Sequence, residues 1–212
     1  MKINGKAYRT IWVNEDGWSV TVIDQTKLPH RFETKRLASV DACAEAIRTM
    51  TVRGAPLIGA TAAYGLAMAL RDDASDENLE RASAMLAETR PTAINLRWAL
   101  NEMVSAVRNR PREERVAAAY ARAAELCDED VETCRRIGEH GLKLIEQAAA
   151  TKDKGERINI LTHCNAGWIA CVDWGTALAP IYMAHDTGLN VHVWVDETRP
   201  RNQGASLTAF EL

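Results

Sequence analysis

The sequence predicts an α/β protein in which an N-terminal β-hairpin and helical domain is followed by an incomplete parallel α/β domain. Short β-type segments open the chain, Ala-, Glu- and Arg-rich helical segments fill its middle, and a strand–helix–strand pattern comes last. The polar, Gly-containing segment 151–157 separates the last two patterns, as is typical of a domain boundary. We therefore predict a first domain over residues 1–150 and the first part of a second domain over residues 157–212.

The composition is ordinary for a globular protein and argues against several classes of partner. Of the 212 residues, 47% are hydrophobic and 26% are charged, and the net charge is −3. A slightly acidic chain does not favour nucleic acid binding, which depends on basic surfaces. The N-terminal segment lacks the apolar core of a signal peptide, and the apolar run 55–70 is shorter than a membrane span. We expect a cytoplasmic protein with neither a nucleic acid nor a membrane partner.

The cysteines agree with that location. An odd number of them, irregularly spaced and without a secretion signal, is typical of reduced thiols. The five are Cys43, Cys127, Cys134, Cys164 and Cys171. A zinc site would need more ligands than Cys164, Cys171 and the neighbouring His163 supply at a plausible spacing, so we predict no metal.

The first domain is expected to open with a β-hairpin. Residues 7–13 and 18–24 are short β-type segments, and the intervening Asn-Glu-Asp-Gly sequence has the composition of a turn. A further short strand is predicted over residues 30–33.

Helical patterns fill the rest of the first domain. Apolar residues recur at helical spacing after residue 39, Pro56 suits a first helical turn, and Ser75 precedes an acidic first turn. The last segment is interpreted as one or two helices, with a break near residues 127–130. The predicted helical segments are 39–50, 55–70, 75–88, 92–108 and 112–149.

The second domain begins with a βαβ unit. A strand over residues 158–162 is followed by a helix over 175–187, which Gly188 ends, and by a strand over 190–195. This order implies parallel strands. Two parallel strands cannot form a stable sheet with both faces covered, so we expect either a fragment or a partner that completes the sheet.

Cys164 is the first candidate for chemistry. It follows the carboxyl end of the first parallel strand, the edge at which open α/β sheets bind ligands. A helix N-terminus after the turn would lower the pKa of a nearby thiol. The alternative is a buried structural cysteine, which is the interpretation that we give to the other four.

A second candidate site combines Arg53, Gly54 and Ala55 at the start of a helix. A guanidinium, a glycine turn and outward-pointing amides suit a phosphate, although the sequence is not a Walker A loop. The alternative is a helix cap with a solvated arginine. Glu-Thr-Arg-Pro occurs at 88–91 and again at 197–200, which places Arg90 and Arg199 in loops that could join Arg53 on an anion.

The end of the chain offers an amide side chain. Gln203 lies in a Gly-containing turn and could hydrogen-bond a hydroxyl or a phosphate oxygen, although a lone loop glutamine is usually solvated. Asp196 ends the second strand, where a dinucleotide-binding protein would hold a ribose. The turn after the first strand lacks G-x-G-x-x-G, so we do not expect dinucleotide binding.

Five motifs in fixed order carry a resemblance to a known family. They read VRGAPLIGATAAYGLAM, RPTAINLRWAL, ILTHCNAG, GTALAPI and VDETRPRNQGASLTAFEL. They resemble the S-methyl-5-thioribose-1-phosphate isomerase family, which belongs to a larger group with the regulatory subunits of translation initiation factor 2B. The resemblance runs from about residue 38 to the last residue, and it implies that the second domain is Rossmann-like.

The resemblance implies a reaction and a set of residues. Members convert 5-methylthioribose 1-phosphate into 5-methylthioribulose 1-phosphate in methionine salvage, as homodimers without a metal or an organic cofactor. It implies that Cys164 is catalytic. The family also uses an aspartate and an Asn-Lys pair further along than Leu212, so we expect the 212-residue chain alone to be inactive. The residues that it implies for substrate binding are Arg53, Gly54, Ala55, Arg90 and Gln203.

Two alternatives stay open. Segment 168–174, WIACVDW, is bulkier and more polar than in many members, which predicts a changed substrate pocket. A related isomerase of 5-deoxyribose 1-phosphate or ribose 1,5-bisphosphate is therefore the first alternative. A non-catalytic regulatory subunit is the second, and Cys164 together with Gln203 favours an enzyme over it.

Overall fold

The structure, a computed structural model, describes residues 1–153 and 155–212. The chain forms two compact units, one of Thr10–Glu129 and one of Met1–Arg9 with Asp130–Leu212. A compact unit of this kind differs from a domain, which has its own hydrophobic core and can fold by itself. The domain limits 1–150 and 157–212 therefore stay a prediction.

The elements follow the predicted order of strands, helices and a final strand–helix–strand pattern. The strands are β1 (Lys2–Ile3), β2 (Lys6–Ala7), β3 (Ile11–Val13), β4 (Val20–Ile23), β5 (Thr34–Leu37), β6 (Ile158–His163) and β7 (Val191–Asp196). The helices are α1 (Val40–Arg48), α2 (Ala55–Asp72), α3 (Asp76–Ala87), α4 (Ile94–Val107), α5 (Arg112–Ala149), α6 (Ala179–Asp186) and α7 (Ala209–Glu211).

In the Thr10–Glu129 unit, a three-stranded antiparallel sheet has the order β3-β4-β5. The predicted hairpin is confirmed, because Asp16 accepts the backbone N–H groups of Trp18 and Ser19 and closes the turn between β3 and β4. The third strand begins at residue 34, so the strand predicted over 30–33 is wrong. A 3₁₀ turn at Gln25–Lys27 and Pro29, which has no N–H to donate, occupy the chain just before it.

Helix α2 is the centre of this unit and is buried along most of its length. Small residues let its neighbours approach closely, as a Cβ added at Gly65 would lie 2.9 Å from Cys43 Cβ on α1. The five predicted helices are present, and the last of them, α5, is continuous. No Gly or Pro interrupts residues 127–130, which explains why the predicted break does not occur.

In the other unit, β6 and β7 pair in parallel, as predicted. Residues Leu161 and Trp194 are register partners with exposed fractions of 72% and 59%, so one face of this strand pair is open. Helix α6 begins at residue 179, four residues later than predicted, because Gly175 adopts a φ of +81° that a helix does not allow. The last part of α5 packs on α6, where a Cβ at Gly141 would lie 2.7 Å from Pro180 Cβ.

Together these features confirm the predicted fold class: a small antiparallel region, a helical part and a parallel two-stranded pair. Within the part of the chain that the structure describes, no helix has both the length and the apolar character needed to cross a bilayer.

Candidate functional site

Cys164 follows β6 in a backbone conformation that is unusual for a residue with a side chain. Its φ is +62°, in the left-handed region that costs of order 1–3 kcal/mol outside glycine. Hydrogen bonds hold both sides of the residue. Its N–H donates to the carbonyl of Asp196 at 3.1 Å, and its own carbonyl accepts the hydroxyl of Thr208 at 2.6 Å. Hydrogen bonds with two other segments of the same chain thus stabilise a strained backbone at the predicted reactive position.

The sulfur of Cys164 lies beside Gln203. The distance from Sγ to the side-chain oxygen Oε1 is 3.5 Å, within reach of a thiol donor, and both residues are partly exposed. Two of the residues predicted for the site, 39 positions apart, therefore meet at the carboxyl edge of β6 and β7.

The loop that presents Gln203 is held by Glu197. Its carboxylate accepts the N–H groups of Thr198 and Gly204, both at 2.7 Å, and of Ala205 at 3.0 Å. A carboxylate on free amides at the start of a helical turn is a stabilising arrangement. It fixes the turn that carries Gln203. Arg199, in the same loop, is exposed.

A histidine–aspartate pair lies at the same edge. His163 Nδ1 is 2.9 Å from Asp196 Oδ2, and this hydrogen bond lowers the pKa of Asp196 below its ordinary value. The two residues are register partners at the ends of β6 and β7, and both side chains are exposed. In a dinucleotide-binding protein, a carboxylate at this position would hold a ribose, but here His163 already engages it.

The segment after Cys164 turns into the interior. Trp168 is 2% exposed, and the residues that follow it up to Val172 are also buried. The buried part of this bulky segment packs inside its own unit, so it could alter a ligand site only by shifting the residues that pack against it. The predicted effect of this segment on the substrate pocket stays a prediction.

A carboxylate that the sequence did not reveal organises this segment. Glu211 accepts the side-chain amide of Asn165, the N–H of Ile169 at 3.2 Å and the hydroxyl of Tyr182 at 2.8 Å. Asn165 also donates to Thr208, at 3.0 Å. The signal that could have pointed to Thr208 and Glu211 is their spacing of three on the final helical segment, which places both on one face.

The other predicted site residues belong to the Thr10–Glu129 unit. Gly54 has a φ of +91°, which favours glycine, and it immediately precedes α2. Among the described residues, no side chain caps α2 or α4, whereas Ser39 caps α1 and Ser75 caps α3. The first amides of α2 and α4 therefore have no side-chain acceptor of this kind.

These two helix starts lie next to each other. One turn into α2, a Cβ added at Gly59 would be 3.1 Å from the carbonyl oxygen of Asn95, which is in the first turn of α4. Arg90 lies in the loop before α4, and its Nη1 is buried with no hydrogen-bond partner among the described residues. Arg53, before α2, is half-buried. Adjacent helix N-termini with a buried guanidinium nitrogen suit an anion such as phosphate.

One group in the described part of the chain brings three candidate metal ligands together. The side chains of Asp130, Cys134 and Cys171 place their ligand atoms within 4.8 Å of one another. A structural zinc site uses four ligands, so the group is one short. A hydrogen bond with Cys134 and burial raise the pKa of Cys171, and burial raises that of Asp130. Asp130 also accepts the N–H of Val172 at 2.7 Å, which is a structural role.

Comparisons with known proteins agree with this fold. The profile of the Initiation factor 2 subunit family matches residues 51–212. A methylthioribose-1-phosphate isomerase from Methylorubrum populi is 65% identical over 212 residues, which are 100% of this chain and 58% of that protein. The chain thus spans about 58% of the length of this curated relative.

Two solved structures are similar throughout. The 5-methylthioribose 1-phosphate isomerase from Pyrococcus horikoshii has a TM-score of 0.83 and 39% identity, over 97% of this chain and 57% of that one. Subunit delta of the translation initiation factor eIF-2B from A. fulgidus has a TM-score of 0.82 and 38% identity, over 97% of this chain and 59% of that one. The chain belongs to the initiation factor 2 subunit family. The resemblance predicted from its motifs is confirmed.

Proposed function

We propose that this chain is part of an aldose–ketose isomerase that converts 5-methylthioribose 1-phosphate into 5-methylthioribulose 1-phosphate. The observation that carries the proposal is the contact of Cys164 Sγ with Gln203 at the carboxyl edge of the parallel strands. Relatives near 65% identity with isomerase names support the choice of substrate. We further propose that the enzyme acts in methionine salvage in the cytoplasm, where its five free cysteines would stay reduced.

The chemistry explains why a thiol would be used. The anomeric carbon of the substrate carries a phosphate ester, so its ring cannot open to a free aldehyde without assistance from an acid. Isomerisation then moves a hydrogen from C2 to C1, and no oxidant is needed because aldose and ketose are isomers. A thiol at a strand edge can share a proton with the reacting sugar and stabilise the charge that develops. Gln203 would orient this thiol and contact the substrate.

The phosphate would bind at the starts of α2 and α4. Arg53, Gly54 and Ala55 would offer a guanidinium and open amides, and Arg90 would direct its buried Nη1 to a phosphate oxygen. Holding the phosphate in this way would also oppose its loss as a leaving group.

Replacing Arg90 with lysine tests the phosphate contact. Because the single ammonium group of lysine does not reproduce the position of the guanidinium Nη1, we expect KM for the sugar phosphate to rise roughly tenfold to a hundredfold, by the free energy of a hydrogen bond to a charged group. Arg108→Lys, at the exposed far end of α4, is the matched control and should leave KM unchanged. Steady-state kinetics of the complete gene product would measure both. Equal KM values for the two variants would remove Arg90 from the site.

A homodimer is the proposed working form, as the family resemblance implies. Light scattering coupled to size exclusion would measure the mass of the complete gene product. A mass twice that of one chain agrees with the proposal, and a mass equal to one chain contradicts it.

The similarity to a translation initiation factor subunit favours one second candidate, a non-catalytic regulatory protein. The deciding experiment presents the complete gene product with 5-methylthioribose 1-phosphate, 5-deoxyribose 1-phosphate and ribose 1,5-bisphosphate, and follows ketose formation by proton NMR. We expect turnover of the first compound to be fastest. Faster turnover of another would identify a related isomerase, and no turnover of any would favour the regulatory protein.

A further inference from the structure

The carboxylate of Glu211 joins three segments of its unit that are far apart in sequence. Its Oε1 accepts the side-chain amide of Asn165, and its Oε2 accepts the N–H of Ile169 and the hydroxyl of Tyr182. Three donors converge on it, which suits a group that only accepts hydrogen bonds. Burial, reinforced by the charge of Glu211, raises the pKa of Tyr182 and keeps its hydroxyl protonated as a donor.

A chain of hydrogen bonds continues from this carboxylate to the candidate catalytic residue. The amide of Asn165 also donates to Thr208 Oγ1, and the Thr208 hydroxyl donates to the carbonyl of Cys164. Thr208 is 0% exposed and Asn165 is 5% exposed, so water does not compete for these bonds. In this series of hydrogen bonds, Asn165 donates to both Glu211 and Thr208, and Thr208 in turn donates to the carbonyl of Cys164, so every donor has an acceptor.

The far end of this chain is the strained peptide of Cys164. A φ of +62° at a non-glycine residue persists only where the surroundings over-determine it. The amide side is held by a backbone partner, the carbonyl of Asp196, which substitution of a side chain cannot remove. The carbonyl side is held by the Thr208 hydroxyl. The orientation of the Cys164 sulfur toward Gln203 therefore depends on Thr208 and on the groups that orient it.

We propose that Thr208 and Glu211 are positioning residues that hold the Cys164 peptide so that its sulfur faces Gln203. Neither residue needs to touch the substrate, because each acts through the backbone of Cys164. The proposal deepens the proposed isomerase function and rests on it only for the catalytic consequence. The positioning itself can be measured without any sugar phosphate.

The variants Thr208→Val and Thr208→Ser distinguish the contribution of the Thr208 hydroxyl from that of its packing. Valine keeps the shape of threonine and removes the donor, whereas serine keeps the donor. The probe is iodoacetamide, and the rate of alkylation of Cys164 in the complete gene product is followed by peptide mass spectrometry. We expect Thr208→Val to alkylate several times faster than wild type, because a released peptide moves the sulfur away from Gln203. Thr208→Ser should alkylate at the wild-type rate.

Kinetics provide the second readout. A misplaced reacting group can cost up to about a hundredfold in rate, so we expect Thr208→Val to lower kcat about ten- to a hundredfold with little change in KM. If the wild-type protein does not isomerise any sugar phosphate, the proposed function fails and the alkylation rates still decide the positioning. Wild-type alkylation and kcat in Thr208→Val would overturn the proposal.

Glu211→Gln is a second variant in case Thr208→Val does not fold. In the wild type, both oxygens of Glu211 accept hydrogen bonds. Glutamine replaces one of these oxygens with an NH₂ group, so either Asn165 or Tyr182 loses its acceptor. The matched control is Glu156→Gln, which changes an exposed glutamate paired with Lys152 in the same unit. Faster alkylation of Cys164 in Glu211→Gln alone supports the proposal, and equal rates in the two variants contradict it.

Discussion

Replacing Cys164 with serine is expected to lower kcat for isomerisation of 5-methylthioribose 1-phosphate by about 10²–10⁴-fold, the usual contribution of a general acid or base. A hydroxyl gives up its proton far less readily than a thiol, so it cannot share a proton with the opening ring in the same way. Because serine is slightly smaller and Cys164 is partly exposed, the fold should tolerate the change. Steady-state kinetics of the complete gene product would measure the effect.

Cys127→Ala is the matched control for that experiment. Cys127 is 4% exposed on α5 and has no proposed part in the reaction. We expect this variant to lose some stability, in part through a small cavity, and to keep kcat within about twofold because Cys127 takes no part in the proposed reaction. A Cys164→Ser protein that turns over at a near-normal rate would remove this thiol from the mechanism.

The second large effect is expected at Gly175. Its φ is +81°, and it forms an isolated antiparallel bridge with Gly167. A Cβ added at Gly175 would lie 2.5 Å from Gly167 Cα and 2.5 Å from the backbone nitrogen of Trp168. Backbone cannot move away as a flexible side chain would, so Gly175→Ala should force open the loop that follows Cys164.

We expect Gly175→Ala to reduce the free energy of unfolding by more than about 4 kcal/mol, a loss reserved for severe steric or polar defects. Gly188→Ala is the control, because Gly188 has a φ of +83° but nothing within 4 Å of the added Cβ. It should lose only about 1–2 kcal/mol for a left-handed alanine. Urea denaturation of the complete gene product would compare them. Equal losses would show that the contact with Gly167 does not matter.

The fold was predictable where a local pattern determines an element. The Asn-Glu-Asp-Gly turn, the serine cap of α3, and the strand–helix–strand order all appear where the sequence indicates them. Errors arose where a backbone conformation overrode composition. Residues 175–178 look helical, but the positive φ at Gly175 delays the start of α6.

The candidate site was predictable only in part. Cys164 and Gln203 both follow the carboxyl ends of parallel strands, and parallel pairing brings such ends to one edge, so their contact follows from topology. The bonds that Asn165 makes with Thr208 and Glu211 span more than forty residues, and no spacing rule indicates which polar side chains will meet across that separation. The buried, unpartnered Nη1 of Arg90 likewise depends on packing that a sequence pattern does not encode.

The central claim is that Cys164 lies where the sugar phosphate binds. Its most direct test is the rate at which iodoacetamide alkylates Cys164 in the complete gene product, measured by peptide mass spectrometry with and without saturating 5-methylthioribose 1-phosphate. We predict that the sugar phosphate slows alkylation of Cys164 by at least about tenfold, the effect of 90% occupancy or more at a shared site. An unchanged alkylation rate at saturating sugar phosphate would contradict the account.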